Sequence, residues 1–217
     1  MVPDVDDFIR ELCAENETFF AGLPDSKTTY WPERMDARLA AEALKPRWYN
    51  ELRGVEVIGK FIERVPDLSL KVLVGRQVGD EAKHARLCRR RIEQLGGTIM
   101  GYRPSPEQLR FGDILDGFAY PEEFFAAQQL TIETQSLKRN EKALARFDPI
   151  TAEMFERHIN PDERFHAKLG HIGLSVFART RVAQERARQA AALIRPAHVA
   201  MVEAHYRQLE PLLAKVD

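Results

Sequence analysis

Two six-residue phrases pair an acid with an imidazole at the spacing a metal ion needs: Asp80-Glu81-Ala82-Lys83-His84-Ala85 and Asp162-Glu163-Arg164-Phe165-His166-Ala167. On an α-helix, residues three apart share one face, so each phrase sets a carboxylate beside an imidazole. One Glu-x-x-His is common in any sequence. Here each copy has a lone glutamate thirty residues upstream, Glu51 before Glu81 and Glu133 before Glu163, and the two halves superpose at a single offset of eighty-two residues. The same offset lays Lys60 on Lys142, Arg64 on Arg146 and Leu87 on Leu169, the mark of a duplicated helical hairpin. It also decides between two candidates on one helix, because Glu56 falls on Lys138 whereas Glu51 falls on Glu133.

The spacing predicts where the chain must turn. With a turn at Val65-Pro66-Asp67, Glu51 and Glu81 each lie about 22 Å from it along their helices, at 1.5 Å per residue. A second turn at Phe147-Asp148-Pro149 does the same for Glu133 and Glu163, and proline is a plausible stop in both places. Four glutamates and two histidines then meet at one level between four antiparallel helices, a cluster that a dry core tolerates only if cations neutralise it. The helices expected are about 47–64, 68–95, 121–147 and 150–178. Gly96-Gly97 ends the second. Residues 101–120, with Pro104, Pro106, Gly112 and Gly117, form the crossover, and Phe124, Phe125, Leu130, Ile132 and Leu137 are core candidates on the third helix. Pro161, two residues before Glu163, predicts a distortion or a fresh start capped by Asn160. Gly79 aligns with it in the first half, so both halves are expected to weaken the helix beside their ligands.

In Glu51, Glu81-x-x-His84, Glu133 and Glu163-x-x-His166 the chain resembles the ferritin-like di-iron carboxylate superfamily, which draws a Glu from each of two helices and a Glu-x-x-His from each of the other two. The resemblance covers about residues 45–178. It implies an all-α, ferritin-like four-helix bundle of two antiparallel helical hairpins, a single domain over 1–217 with an N-terminal helical extension at 1–44 and further C-terminal helices at 179–217. It also implies two iron ions, with manganese or a manganese–iron pair as alternatives, held by the six residues with Glu81 and Glu163 bridging. Dioxygen is then the co-substrate. The activity expected is an oxidoreductase that oxidises or hydroxylates a small-molecule substrate with electrons from an external donor. The alternatives are a ferroxidase or peroxide-detoxifying protein and, from another class, a metal-free helical interaction module, which leaves a buried glutamate cluster unexplained. No rubredoxin-type cysteine pair is present, and Cys88 stands where radical-storing relatives carry a tyrosine. Asp80 and Asp162 before the ligand glutamates are similar to hydroxylase subunits of multicomponent monooxygenases, although Leu137 replaces their usual threonine. A tRNA-modifying relative keeps nucleic acid open as a less favoured partner.

Asp80 and Asp162 sit about 100° round the helix from the glutamates that follow them, so neither easily serves its own histidine. A metal-bound imidazole nearly always donates its other N–H to a carboxylate or carbonyl. The pseudo-twofold repeat therefore predicts crossed pairs, Asp80 with His166 and Asp162 with His84, as the resemblance also implies. Cys88, one turn beyond His84, is expected to line the space beside the site as packing. His158, His171, His198 and His205 lack any repeat partner and read as ordinary histidines.

The rest of the sequence bounds the answer. A formal net charge of -1 with 30% charged residues in 217 gives no global basic field for nucleic acid. The acidic start, Met1-Val2-Pro3-Asp4-Val5-Asp6-Asp7, and the lack of a long apolar run argue against a signal peptide or a membrane partner, so a cytoplasmic location is expected. Cys13 and Cys88 read as reduced thiols. Residues 4–23, with Phe8, Leu12, Phe19, Phe20 and Leu23, predict an amphipathic helix ended by Leu23-Pro24-Asp25-Ser26-Lys27. Thr28-Thr29-Tyr30-Trp31-Pro32-Glu33 is expected to be irregular and core-lining, and a helix from about Met35 to be interrupted near Pro46. Residues 179–216 predict one or two helices broken near Arg195-Pro196. Their arginines, Arg179, Arg181, Arg186, Arg188 and Arg195, suit a solvated face, an anionic ligand tail or a second subunit, a homodimer included.

Overall fold

Helices begin where the sequence supplies an oxygen for the first backbone N–H groups. Asp4 accepts from Asp6 N at the start of α1 (Val5–Ala21), Asp36 from Leu39 N at α2 (Ala37–Phe61), Asp67 from Leu70 N at α3 (Leu68–Gln94), and Ser105 from Gln108 N at α4 (Pro106–Gly117). The computed structural model describes residues 4–24, 31–32 and 35–213, and among them every regular element is helical. Two longer runs follow. α5 comprises Pro121–Phe124, a π-helical stretch Phe125–Glu133, and Thr134–Ala143. α6 comprises Pro149–Met154, a second π stretch Phe155–Ile159, and Asn160–Phe177. The last helix, α7, spans Arg181–Leu213.

α2 and α3 pack along each other as one hairpin, and the π stretch of α5 packs on α6 as the other. The second pairing is unusually close. A Cβ at Gly170 of α6 would lie 2.5 Å from the Leu130 backbone nitrogen, and one at Gly173 would lie 2.2 Å from the Phe125 ring. Only hydrogen fits at either position. α7 lies against α4 and the N-terminal part of α5, and α1 packs on α6 and α7. In the core between these layers Phe61 stacks on Phe124 and meets Phe125 edge-on.

The structure departs from the sequence expectations in four places. The crossover contains a helix, α4, whose Phe111 and Leu115 are buried, because Ser105 and Pro106 start it and apolar residues four apart give it a face. α2 runs through Pro46 and α7 through Pro196 and Pro211. Each proline forfeits one backbone hydrogen bond, but tertiary packing of the flanking turns outweighs that loss; Gln108 Nε2 donates to the Pro46 carbonyl at 3.2 Å. Gly79 leaves α3 regular, whereas Pro161 follows the π stretch Phe155–Ile159, whose extra residue makes room for the ring. Leu137 is only half-buried, while Phe124, Phe125, Leu130 and Ile132 are buried.

The arginines of α7 tie elements together. Arg186 Nε donates to Glu122 Oε1 at 2.8 Å and the guanidinium covers the Tyr120 ring. Arg188 pairs with Glu15 and Glu11, and Arg195 with Asn16 and Glu15. Trp31 is buried edge-on to Phe147 and Phe155. Thr28, Thr29, Tyr30 and Glu33 of the aromatic stretch, Asp25-Ser26-Lys27 of the helix stop, and Met1-Val2-Pro3 lie outside the described residues, as do residues 214–217. No helix among the described residues is long and apolar enough to cross a membrane.

Candidate metal centre

Six side chains from α2, α3, α5 and α6 turn into the interior at one level. They form two triads, Glu51, His84 and Glu163, and Glu81, Glu133 and His166; within each triad one ligand atom per residue lies within 4.8 Å of the others. All six are buried, at 0–5% exposure. Each triad draws on both halves of the repeat. Glu81 lies between the histidines, with Oε1 3.4 Å from His166 Nδ1 and Oε2 3.9 Å from His84 Nδ1. Glu163 belongs to the triad of His84, and its Oε2 is also 3.7 Å from His166 Nδ1. Glu51 Oε2 is 3.4 Å from His84 Nδ1, while Glu56 is exposed and pairs with Arg53.

Behind the imidazoles the aspartates cross over. His84 Nε2 lies 3.0 Å from Asp162 Oδ2, and His166 Nε2 lies 3.5 Å from Asp80 Oδ2. When each ring keeps its proton on Nε2 and gives up the one on Nδ1, as ligation would require, the lone pair of Nδ1 faces the carboxylates. Lys83 and Arg76 flank both aspartates from the solvent side. Burial alone would raise the Asp162 carboxyl, but the bond from His84 and the Lys83 ammonium hold it down at about 2. Burial likewise opposes charge on His84, yet Asp162 and Glu51 lift its pKa to about 9.

The two triads differ in what balances them. Arg47, one turn before Glu51, places its guanidinium on both Glu51 and Glu163. Against the effect of burial, Arg47 and then His84 keep Glu51 at about 2, and Arg47 and His166 keep Glu163 well below the usual carboxylate range. Glu81 and Glu133 have no such cation. Burial, followed by the charges of Glu133 and Glu51 on the first and of Glu163 on the second, pushes both well above it. Their contacts are amides: Gln77 Nε2 and Gln128 Nε2 donate to Glu133 Oε1 at 2.9 and 2.8 Å, and Gln129 Nε2 donates to Gln77 Oε1 at 3.2 Å.

A cavity of about 60 Å³ opens beside the glutamates. Val57, Ile58, Phe111, Leu115, Ile132 and Met201 form its apolar walls, and Arg47, Ser136, Arg139 and His198 add to its polar lining. Cys88 is fully buried and does not line this cavity; burial and the nearby Glu51 push its thiol far up, so it is packing. The sequence reading missed Arg47, Gln77, Gln128, Ser136 and Arg139. Two of these left a trace, since Arg47 stands four residues before Glu51 and Gln77 four before Glu81, the helical neighbour position. His198, read as ordinary, is buried in the cavity wall on α7.

Layered helices with a buried carboxylate and imidazole pocket define an all-α fold that wraps a polar centre in further helices. No family model and no curated protein matches the sequence. Among solved structures, the fold is similar to a TenA homolog from Pseudomonas syringae pv. tomato, with a TM-score of 0.70 and 11% identity over 95% of this chain and 94% of that one. The likeness is one of fold, and it corrects the resemblance drawn from the sequence. The chain is not placed in the ferritin-like di-iron carboxylate superfamily, and the dioxygen-activating oxidoreductase, monooxygenase, ferroxidase and peroxide-detoxifying readings that rested on that membership are withdrawn. The physical reason is that ligand spacing constrains only how four helices pass one another near the glutamates. How α1, α4 and α7 cover them is decided by apolar faces and close glycine contacts that the ligand pattern does not contain.

Proposed function

We propose that the protein binds two divalent metal ions, one at each triad, and acts through them on a small molecule held in the adjoining cavity. The observation that carries this reading is the set of buried atoms aimed at the centre: His84 Nδ1, His166 Nδ1 and Glu163 Oε2 have no hydrogen-bond partner among the described residues. Buried polar atoms without partners are rare, and these converge. The charge balance supports it too. Arg47 offsets part of the charge on Glu51 and Glu163, whereas Glu81 and Glu133 must hold protons or meet a cation. Carboxylates with one imidazole per ion suit manganese(II), iron(II) or zinc(II).

Such ions would supply polarisation of a ligand oxygen and acidification of a bound water. The chain's own residues do the rest. Asp162 holds the His84 imidazole, Asp80 faces His166 Nε2 at 3.5 Å, Gln77 and Gln128 occupy Oε1 of Glu133 so that Oε2 faces the centre, and the apolar wall limits water beside it. Equilibrium dialysis against each of the three ions, anaerobically for iron, tests the reading. Two ions per chain are expected, with loss of retention in Glu51→Gln and His166→Ala. No retained ion, or retention indifferent to both substitutions, overturns it.

A further inference from the structure

The cavity is walled almost everywhere by buried side chains. Among the described residues that line it, only Asn50, Arg53 and Gly54 are also reached by solvent, and all three lie on α2. A residue that both lines a cavity and touches solvent marks where the wall is one residue thick. Here that place is the seam between α2 and α4. Gln108 Nε2 on α4 donates to Asn50 Oδ1 at 2.6 Å, and one turn further along α4 Gly112 leaves room for the Arg53 side chain, whose Nε would lie only 2.9 Å from a Cβ at that position. Directly behind the seam is a triad residue, since a Cβ at Gly54 would meet Glu81 Oε2 at 3.5 Å.

We infer that small molecules enter and leave the cavity between α2 and α4, and that Arg53 is the gate. Arg53 crosses the seam over Gly112 to pair with Asp116 on α4, and its Nη1 also donates to Glu56 Oε2 at 2.7 Å on its own helix. The two carboxylates give the guanidinium two resting places. When it lets go of Asp116 it keeps Glu56, which is exposed, and Asp116 keeps the Lys60 ammonium at 3.2 Å, so opening strands neither charge. The bond that breaks joins side chains 22% and 26% exposed, which makes it a weak latch. Gln108 is held in place, donating also to the Pro46 carbonyl at 3.2 Å and accepting from the Tyr102 hydroxyl at 2.8 Å. The movable side of the mouth is therefore the arginine. The entrance belongs to the cavity itself and does not depend on the two-metal reading.

Thiol labelling with iodoacetamide, in chelator, tests the gate. Val57 lines the cavity one turn beyond Arg53, whereas Cys88 is buried and does not line it, so in a Cys13→Ser, Val57→Cys chain the two thiols separate access to the cavity from general loosening. Arg53→Met and Gly112→Ala should each speed labelling of the introduced thiol by roughly 3-fold or more, the factor that an ion pair this exposed is worth, with labelling of Cys88 unchanged. Methionine keeps the apolar stem and removes the charge. The alanine methyl unseats the guanidinium without weakening α4, because alanine is a better helix former than glycine. Arg64→Met, which removes a bond to the Phe118 carbonyl outside the cavity wall, should change neither rate. Unchanged labelling in Arg53→Met or in folded Gly112→Ala, a rise shared by Cys88, or an equal rise in Arg64→Met overturns the inference. Arg53→Met decides even if Gly112→Ala does not fold. Labelling is read without metal, so failure of manganese retention overturns the two-metal reading and leaves the gate standing.

Discussion

Glu81→Gln should stabilise the metal-free protein and destabilise it relative to wild type once metal is present. Glu81 is buried beside Glu133 and Glu51, with Gln77 as its hydrogen-bond donor. Left charged, it meets each neighbouring carboxylate at a cost of about 4 kcal/mol for 4 Å separation at an effective dielectric of 20. Its alternative is to keep a proton. Relative to an ordinary value of 4.5, holding that proton at pH 7 costs up to about 3 kcal/mol. The isosteric amide avoids both costs and can still accept from Gln77, so a gain of about 1–3 kcal/mol is expected in chelator, or roughly 2–10 °C in Tm for a chain of this size. The sign with pH follows. Folded Glu81 binds its proton more tightly than the unfolded chain does, so its contribution is intact below about 4.5 and is lost as pH rises. The advantage of the variant should therefore be absent near pH 4.5 and grow toward neutrality. Metal reverses the order, because an ion at one hundred times its Kd adds about 2.7 kcal/mol to wild type and less to a variant lacking a ligand. Chemical denaturation in chelator and in excess manganese measures both. A variant less stable than wild type in chelator at pH 7, or one that gains as much from manganese, would refute the reasoning.

Three further outcomes are expected. Asp162→Ala should weaken metal retention by about 10–100-fold through loss of the bond that orients His84, and Asp80→Ala should act similarly through His166; unchanged affinity in both would remove the aspartates from the site. Gly170→Ala drives a methyl into the Leu130 backbone where α6 meets the π stretch, and should cost about 1–3 kcal/mol in denaturation, with a neutral result disproving the close approach. His205 is buried, and burial followed by the Arg139 charge lowers its pKa to about 3, so below about pH 6.5 the unfolded chain takes a proton that the folded chain refuses. Stability should fall by about 1.4 kcal/mol per pH unit on its account as pH drops from about 6.5 toward 3, and His205→Gln should flatten that slope.

The legible parts of this molecule are those that repeat. Two copies of Glu-x-x-His with matched upstream glutamates name the residues that meet at the centre, because helical periodicity and a fixed distance to a turn are both written in residue counts. Superfamily and cover were not legible from that signal. α4 hides in a Pro- and Gly-containing stretch whose helix depends on one serine cap, and Pro196 looks like a break although packing on both sides of α7 carries the helix through it. Arg139 and His198 are distant in sequence and meet only because α5 and α7 pack together, so no spacing rule could pair them. The π stretch of α5 is equally silent, lying where Gly170 and Gly173 admit it against α6.

The most direct measurement is anomalous X-ray diffraction from crystals of the manganese-loaded protein. Two peaks are expected a few ångströms apart, one bounded by Glu51, His84 and Glu163 and the other by Glu81, Glu133 and His166. A centre without anomalous signal under saturating manganese, with Arg47 still seated on Glu51 and Glu163, would contradict the account.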